Sequence, residues 1–175
     1  MNSRKSIQTL LIINLLLLSA CATKQEFKDE FDTGKNWKEQ LTQLPAYPEV
    51  GNLITFDAGP ISDYQHAVDA ISISIGHDGV IRFTLVSRSS AGAMNTSFEG
   101  IRCATSERKL YAIGRDDKTW SEPRTSEWQP LNFVRQFYAQ RELAKNIFCP
   151  NEQIVSSPEK AINALKKGIH PAIFR

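Results

Sequence analysis

Residues 71–85 read ISISIGHDGVIRFTL, and this stretch decides the fold. Its first five residues alternate isoleucine with serine, a period typical of a strand that buries one face. A second apolar run, which begins at Val80, follows the string Gly76-His77-Asp78-Gly79. Two apolar runs joined by a glycine-containing string predict a β-hairpin.

The length of the hairpin loop decides which side chains share a face. A three-residue loop that ends on Gly79 with a positive φ brings the apolar residues of the two strands together. The expected pairs are Ile75 opposite Ile81, Ile73 opposite Phe83, and Ile71 opposite Leu85. A two-residue turn would instead set Ser74 opposite Phe83, and a shift of one residue moves every side chain to the other face. The sequence therefore favours the three-residue loop.

More strands are predicted on both sides of this hairpin. Their ranges are 53–56, 95–103 and 108–115. Because short links join the strands in chain order, an antiparallel meander is the simplest topology.

The pairing of strand 80–88 with strand 95–103 is expected to create two distinct faces. The apolar side chains expected on the core face are Ile81, Phe83, Leu85 and Phe98, continued by Leu110 and Ala112. The opposite face is expected to carry Arg82 and Glu99 as diagonal neighbours within reach of each other.

Two helices are predicted after the strands. Pro130 fits the first position of one helix, whose apolar side chains recur at helical spacing, and Pro150 ends it. Ser157 opens the second helix and Gly168 ends it. Strands followed by helices predict an α+β domain with an antiparallel meander sheet of about four to five strands and two C-terminal helices.

The first twenty residues predict an export leader. Arg4 and Lys5 precede an apolar run over 7–18, which is too short to cross a hydrocarbon core of about 30 Å. The string Leu18-Ser19-Ala20-Cys21 then matches a lipobox. We expect cleavage before Cys21 and a lipid on its sulfur. The alternatives are a plain signal peptide with an incidental thiol, and a transmembrane anchor.

A lipid on Cys21 would attach the mature protein to a membrane. Two or three acyl chains, at about 0.8 kcal/mol per buried CH₂, bind almost permanently. Ala22 follows the cysteine, whereas Asp at that position is the usual mark for retention in the inner membrane. The periplasmic face of the outer membrane is therefore the expected location.

The mature chain is expected to divide into a tether and one domain. Residues 21–36 are polar and predict a lipidated tether, and residues 37–175 predict a single globular domain. A short helix is expected over 37–44, ended by Pro45.

The charge balance argues against a nucleic-acid partner. Arg4 and Lys5 are the only charged residues of the leader, so the mature chain keeps 19 Lys and Arg against 19 Asp and Glu. A net charge of zero leaves no basic excess for phosphate backbones.

Cysteine and histidine usage predicts a disulfide and no metal. With Cys21 lipidated, Cys103 and Cys149 remain, and in an oxidising periplasm they most simply pair. Two buried free thiols or a reactive thiol are the alternatives. The sequence contains no Cys/His metal spacing, and no cofactor is expected. The scattered histidines are interpreted as surface or turn residues: His66, His77 and His170.

Five residues form a possible binding surface. The simplest interpretation of Arg82 and Glu99 is an ion pair on the sheet surface. The functional alternative is a polar surface on which Arg82 and Arg102 donate to a carboxylate or phosphate. Trp120 and Trp128 are interpreted as lids over the core or as stacking platforms for a sugar ring.

The centre of the chain resembles a known family. The strings that carry the resemblance are 78–86 (DGVIRFTLV), 92–95 (GAMN) and 98–103 (FEGIRC), followed by Tyr111-Ala112, Trp120 and Trp128. They resemble the CNP-one-like (CNP1-like) family of Gram-negative envelope proteins, over roughly Trp37 to Gly168. The family often has Tyr where Phe83 and Phe98 stand, so those hydroxyls are not essential in this chain. The resemblance implies an envelope protein, often a lipoprotein, and supplies no catalytic residues.

The sequence therefore predicts a non-enzymatic lipoprotein that acts as a binding, assembly or accessory module of the bacterial envelope. The expected partners are the membrane, through the lipid on Cys21, and an envelope protein or peptidoglycan. One alternative is a periplasmic enzyme that uses Glu99 with Arg82 or Arg102. Another is a purely structural envelope protein.

Overall fold

The computed structural model of the protein describes residues 37–60, 62–132 and 135–170. From Lys38 onward the described chain folds as one compact unit. Of the other unit, Met1–Trp37, only Trp37 is described. The leader, Cys21 and residues 22–36 lie outside the described residues, so the lipid anchor stays a prediction.

An antiparallel sheet forms the centre of the domain. Its strands are β1 (Leu53–Phe56), β2 (Tyr64–Ile75), β3 (Val80–Ser89), β4 (Met94–Arg102), β5 (Glu107–Gly114), β6 (Trp120–Ser121) and β7 (Gln129–Pro130). The first six strands follow one another in chain order across the sheet, and β7 pairs with β5. The predicted meander is confirmed, with more strands than expected because β6 and β7 are only two residues long.

Helices follow the strands and cover one face of the sheet. They are α1 (Tyr138–Glu142), which continues as a π-helix over Leu143–Phe148, and α2 (Pro158–Lys167). Single 3₁₀ turns lie at Val50–Asn52, Cys103–Thr105, Arg135–Phe137 and Pro150–Glu152. The predicted α+β class with two C-terminal helices is confirmed.

The predicted ends of α2 are confirmed, whereas the predicted start of the first helix is wrong. The Ser157 hydroxyl accepts the Lys160 backbone N–H at 3.3 Å, and Gly168 ends α2 with a φ of 75°. Pro130, however, lies in β7 opposite Glu107. A two-residue edge strand tolerates a proline because its missing N–H is not needed there.

The three-residue loop of the first hairpin is confirmed. Ile75 lies opposite Ile81, and the Gly76 N–H donates to the Val80 carbonyl at 2.9 Å. Gly79 has a φ of 74°, in the left-handed region that glycine adopts without strain.

The predicted register of β2 holds at Ile75 and Ser74, which lies opposite Arg82, and is wrong on the far side of a bulge. A bulge between Asp69 and Ser74 shifts the pairing, so that Val68 lies opposite Leu85 in the place expected for Ile71. Ile71 is 73% exposed.

The bulge is held by one side chain. The Ser72 hydroxyl donates to the Asp69 carbonyl at 2.7 Å and accepts the Thr84 backbone N–H, also at 2.7 Å. A side chain thus replaces a ladder hydrogen bond where the strand bends. The Asp69 carboxylate itself accepts the Ile71 N–H at 3.3 Å.

The register between β3 and β4 corrects the expected faces. Phe83 lies opposite Glu99 and Thr84 opposite Phe98, so Glu99 shares a face with Phe83 while Phe98 shares a face with Arg82. The expected Arg82–Glu99 pair is therefore wrong, because the two side chains lie on opposite faces of the sheet.

A second three-residue loop fixes this register. Residues 90–92 form the loop, Ser89 donates its N–H to the Ala93 carbonyl at 2.9 Å, and Gly92 has a φ of 88°. The loop has the same chemistry as the first hairpin.

The core lies between the sheet and the helices. Its largest members that are less than 2% exposed include Ile81, Phe83, Ile101, Leu143, Ile147 and Phe148. The rings of Phe83 and Phe148 have centroids 5.1 Å apart. Burial of each such side chain contributes about 1.5–3 kcal/mol.

Residues 38–49, the leading segment, contain no helix or strand, so the helix expected over 37–44 is wrong. Contacts to distant residues hold the segment instead. The Gln40 N–H donates to the Asp78 carboxylate at 2.8 Å, and Trp120 Nε1 donates to the Pro45 carbonyl at 2.9 Å. These long-range bonds outweigh local helix propensity, which is a weak preference in a segment this short.

Candidate functional site

A cleft of about 390 Å³ between the sheet and α1 is the candidate site. Its polar lining consists of Tyr64, His66, Ser87, Asn95, Ser97, Glu99, Gln136, Tyr138 and Gln140. We refer to it as the polar cleft. Concave sites of this size that combine apolar walls with a few convergent polar groups are typical ligand sites.

The strand register places this polar row. Ser87 lies opposite both His66 on β2 and Asn95 on β4. Directly opposed residues of antiparallel strands share a face, so these three side chains point to the helical side. Ser97 and Glu99 follow Asn95 at alternate positions of β4 and continue the row on the same face.

His66 is the most deeply buried titratable group at one end of the cleft, with 4% of its surface exposed. Its Nδ1 is 2.9 Å from the Ser87 hydroxyl, and its Nε2 is 2.8 Å from the Ser62 hydroxyl. Burial lowers the pKa of His66, which favours the neutral imidazole. A neutral ring donates through one nitrogen and accepts through the other, and the two serines match that requirement.

Ser62 also joins the sheet to α1. Its hydroxyl donates to the Tyr138 hydroxyl at 3.1 Å, and the Tyr138 ring stands edge-on to His66 with centroids 5.5 Å apart. The imidazole is therefore fixed from both sides.

Glu99 lies at the other end of the cleft and is 3% exposed. The Gln140 side-chain amide donates to both carboxylate oxygens, at 3.1 and 3.0 Å, and the Ser97 hydroxyl donates at 2.7 Å. Arg108 approaches the carboxylate to 3.5 Å. A buried charge needs such partners. Because Gln140 belongs to α1 and Glu99 to β4, their hydrogen bonds hold α1 against the sheet.

Arg108 is itself held between two groups. Its guanidinium lies 4.0 Å from the centre of the Phe137 ring on one side and pairs with Glu99 on the other. The positive charge of Arg108 offsets the negative charge of Glu99, so this end of the cleft carries no net charge.

The remaining polar groups of the cleft lie at its rim. Tyr64, Asn95 and Gln136 are exposed, and Tyr64 shows 41% of its surface. An amide side chain can donate and accept at once, and a tyrosine ring offers an apolar face. The rim therefore suits a neutral ligand that carries hydroxyl or amide groups.

The opposite face of the sheet holds Arg82 in an internal ion pair. Arg82 Nη2 lies 2.6 Å from the Asp78 carboxylate, and the two side chains are 4% and 2% exposed. The Arg82 guanidinium also lies 5.5 Å from the centre of the Tyr111 ring and donates to the Gln40 carbonyl at 3.3 Å. Arg82 thus binds other parts of the protein rather than facing solvent.

Glu39 of the leading segment meets three donors on this face. Its carboxylate accepts from Lys109 and Tyr111, each at 2.7 Å, and from Trp128 Nε1 at 3.3 Å. Burial alone would raise the pKa of Glu39, but these hydrogen bonds outweigh it and lower the pKa. The same balance applies to Asp78. Burial alone would raise its pKa, but the hydrogen bonds from Arg82 and Gln40 outweigh burial and lower the pKa.

Trp120 and Trp128, two residues of the predicted binding surface, both contact the leading segment. Trp120 donates to the Pro45 carbonyl and lies against the Tyr47 ring at 5.3 Å, while Trp128 binds Glu39. Both are half-buried. Both indole rings therefore hold the leading segment, and the lid and sugar-stacking interpretations both stay predictions.

The five residues of the predicted binding surface do not form one surface. Glu99 lies on the helical face, whereas Arg82 and Arg102 lie on the other side of the sheet. Arg102 approaches Glu107 to 4.0 Å.

The polar cleft was not predicted from the sequence. His66 was interpreted as a surface or turn residue, and of the other polar cleft residues only Glu99 was given a site role. The spacing of the second loop was the available signal for the strand residues, since it fixes the register that puts Ser87, Asn95, Ser97 and Glu99 on one face.

Two negative findings apply to the described part of the chain. Over residues 37–60, 62–132 and 135–170, no helix has both the length and the apolar composition that a membrane crossing requires. Within the same ranges, no three His, Cys, Asp or Glu residues cluster closely enough to bind a metal ion.

Comparison with known proteins gives one family and one relative. A family model described as the CNP1-like family matches residues 32–166. Cryptic neisserial protein 1 of Neisseria gonorrhoeae is 28% identical over a 124-residue alignment that covers 62% of this chain. The alignment covers 61% of that protein, so the chain spans about three fifths of the length of the curated relative it matches. No solved structure gives a significant match.

Proposed function

The chain belongs to the CNP1-like family, and from this premise we propose that it is a lipid-anchored binding module on the periplasmic face of the outer membrane. Membership confirms the resemblance carried by residues 78–103 and brings no activity with it. The proposal therefore rests on the leader, the disulfide and the polar cleft.

The anchor is supported by the sequence around Cys21. A basic start, a short apolar run and the string Leu18-Ser19-Ala20-Cys21 are the features of a lipoprotein leader. Mass spectrometry of protein purified from its own cells should find an acylated Cys21 as the first residue. Cys21→Ser should abolish incorporation of labelled palmitate. A bare thiol at Cys21, or a leader that is still attached, would contradict the anchor.

The disulfide supports an oxidising compartment. Cys103 and Cys149 are bonded, with Cα atoms 5.4 Å apart. Disulfides persist in the periplasm and are rare in the cytosol.

Binding rather than catalysis is supported by one observation on the polar cleft. The buried carboxylate of Glu99 is occupied by Gln140, Ser97 and Arg108, whereas exposed amide and phenol groups line the rim. A catalytic acid or base needs access to the substrate proton, and Glu99 lacks it. The cleft therefore presents groups that recognise a ligand, and peptidoglycan offers the matching hydroxyl and amide groups.

A titration tests the ligand class. A soluble oligomer of N-acetylglucosamine is added to the protein while heat is measured by calorimetry. We expect saturable binding that Asn95→Ala and Tyr64→Ala each weaken at least about fivefold, since one lost hydrogen bond or ring contact is worth about 1 kcal/mol. Lys166→Gln, an exposed change on α2, is the matched control and should leave binding unchanged.

Two outcomes would contradict binding in the polar cleft. One is the absence of saturable heat. The other is binding that neither Asn95→Ala nor Tyr64→Ala weakens.

A second candidate function is favoured by one distance. Ser87 Oγ lies 2.9 Å from His66 Nδ1, which is the reach of a nucleophile from its base, and Ser62 holds the other ring nitrogen. A fluorophosphonate probe would label Ser87 of an active hydrolase, and both Ser87→Ala and His66→Ala would abolish the labelling. Unlabelled wild-type protein would exclude this candidate. The alternative enzyme that would use Glu99 with Arg82 or Arg102 has no geometric support, since Glu99 lies on the opposite face of the sheet from both arginines.

A further inference from the structure

A second cavity of about 420 Å³ lies beside the disulfide. Its lining shares no residue with the polar cleft. Its polar lining includes Ser106, Arg141, Lys145, Asn151 and Glu152. We refer to this cavity as the disulfide pocket.

The walls of the disulfide pocket are fixed by covalent and hydrogen bonds. The disulfide joins Cys103, the first residue after β4, to Cys149, the first residue after the π-helix. Leu131 donates its N–H to the Ser106 carbonyl at 2.9 Å and accepts from Arg141 Nη1 at 3.3 Å. The pocket is therefore preformed, which lowers the entropy lost on binding.

Unfavourable backbone conformations concentrate around this pocket. In the described ranges, four residues other than glycine have a positive φ, and three of them line the pocket. The three are Ser106 (52°), Asn151 (54°) and Glu152 (62°). Such conformations persist only where the surrounding structure enforces them, and they cluster at ligand sites. The adjacent π-helix over Leu143–Phe148 is a second feature enriched at functional sites.

The charge of the lining is positive. Arg141 and Lys145 are four residues apart and both line the pocket, against Glu152 as the one acidic lining residue. Lys145 is exposed, and within the described part of the chain it forms no ion pair. The guanidinium of Arg and the ammonium of Lys are the side chains that bind oxyanions.

We propose that the disulfide pocket is a binding site for a small oxyanion, the phosphate or carboxylate group of an envelope compound. Lys145 supplies a positive charge that no described ion pair offsets, Arg141 supplies a second positive group that its hydrogen bond to Leu131 orients, and Ser106 and Asn151 supply neutral hydrogen bonds. The site is independent of the polar cleft and of the ligand proposed there.

A titration followed by NMR tests the site in the disulfide-bonded protein. Inorganic phosphate is added in one series and acetate in another, at constant ionic strength set with chloride. We expect saturable shifts of the Ser106, Asn151 and Glu152 backbone amides. The tighter of the two probes identifies the oxyanion class.

Two matched variants separate a site from general charge attraction. Lys145→Gln should raise the Kd roughly fivefold, the effect of one exposed charge. Lys166→Gln removes the same charge from α2, outside the pocket, and should leave the Kd unchanged. A thermal unfolding midpoint equal to that of the wild type shows that each variant folds.

The proposal is overturned by shifts that do not saturate with either probe, or by equal effects of Lys145→Gln and Lys166→Gln. Saturable shifts at the three amides that only Lys145→Gln weakens support it.

Discussion

The Glu39 carboxylate accepts a 2.7 Å hydrogen bond from the phenol of Tyr111, which lies 72 positions away in the sequence. This bond fixes the leading segment against the face of the sheet that the helices leave uncovered. Lys109 binds the same carboxylate at 2.7 Å. One side chain of the leading segment thus holds two side chains of β5.

Removal of Glu39 should loosen this attachment. Glu39→Ala leaves Tyr111 and Lys109 without their acceptor, and we expect the free energy of unfolding to fall by about 1–3 kcal/mol. Glu122→Ala removes an exposed carboxylate and should change it by less than about 0.5 kcal/mol. Urea denaturation measures both. Equal effects of the two variants would contradict the role of Glu39.

The attachment should also weaken in acid. The pKa values of Glu39 and Asp78 are lowered in the folded protein, so the unfolded chain binds protons first as the pH falls. The two carboxylates contribute their full share of the free energy of unfolding above their unfolded pKa values of about 4. This share is lost as the pH drops through their folded pKa values. Glu39→Ala should therefore reduce the loss of stability between pH 5 and pH 3, measured by urea denaturation at each pH.

His66 should make stability depend on pH in a higher range. Burial lowers its pKa in the folded protein, so the unfolded chain protonates first, below its ordinary value of about 6.5. Stability is complete above that pH and falls as the pH decreases toward the folded value. Urea denaturation at pH 7.5 and 5.5 should show this loss in the wild type and a smaller loss in His66→Gln. His77→Gln, an exposed site, should behave like the wild type.

Gly100 should not accept a larger side chain. A Cβ at this position would lie 2.7 Å from Cε2 of the Tyr111 ring, which Glu39 holds in place. We expect Gly100→Ala to lower the free energy of unfolding by about 1–3 kcal/mol. Gly51→Ala is the control, since a Cβ there meets no atom within 4 Å. An unchanged unfolding midpoint for Gly100→Ala would show that the ring moves freely.

The disulfide should contribute a large share of the stability. It closes a loop with a sequence separation of 46 residues, for which chain entropy gives about 4 kcal/mol. Replacement of both Cys103 and Cys149 by Ala should lower the free energy of unfolding by about this amount, measured by denaturation without reductant. Two alkylatable thiols in native wild-type protein would contradict the bond itself.

The hairpin and α2 could be predicted because their signals are local. A glycine at the left-handed position of a three-residue loop fixed the pairing of Ile75 with Ile81, and Ser157 and Gly168 fixed the ends of α2. Such signals act through backbone conformation within a few residues.

The register beyond those signals could not be predicted in the same way. The bulge in β2 depends on the Ser72 hydroxyl reaching the Thr84 N–H across the ladder. The faces of β4 were misjudged because both sides of the sheet are buried, so that Phe98 and Glu99, neighbours on opposite faces, are both nearly inaccessible. Alternation of apolar and polar residues along a strand identifies the core face only where the other face is exposed to solvent.

The candidate sites required the folded chain. The polar cleft brings together residues from β2, β3, β4 and α1, and the pairing of His66 with Ser87 spans 21 positions. No spacing in the sequence announces such a contact. The disulfide was predictable from cysteine count and compartment, but the pocket beside it depends on the backbone at Asn151 and Glu152.

The leading segment has a mechanical consequence for the lipid anchor proposed at Cys21. Release of residues 38–49 from the sheet would lengthen the tether by up to about 40 Å. While Glu39 and Gln40 stay bound, the tether remains short, and the proposed anchor keeps the domain close to the bilayer. In the protein anchored as proposed, the bonds of Glu39 and Gln40, together with those of Pro45 and Tyr47, would therefore limit how far the domain can extend from the membrane.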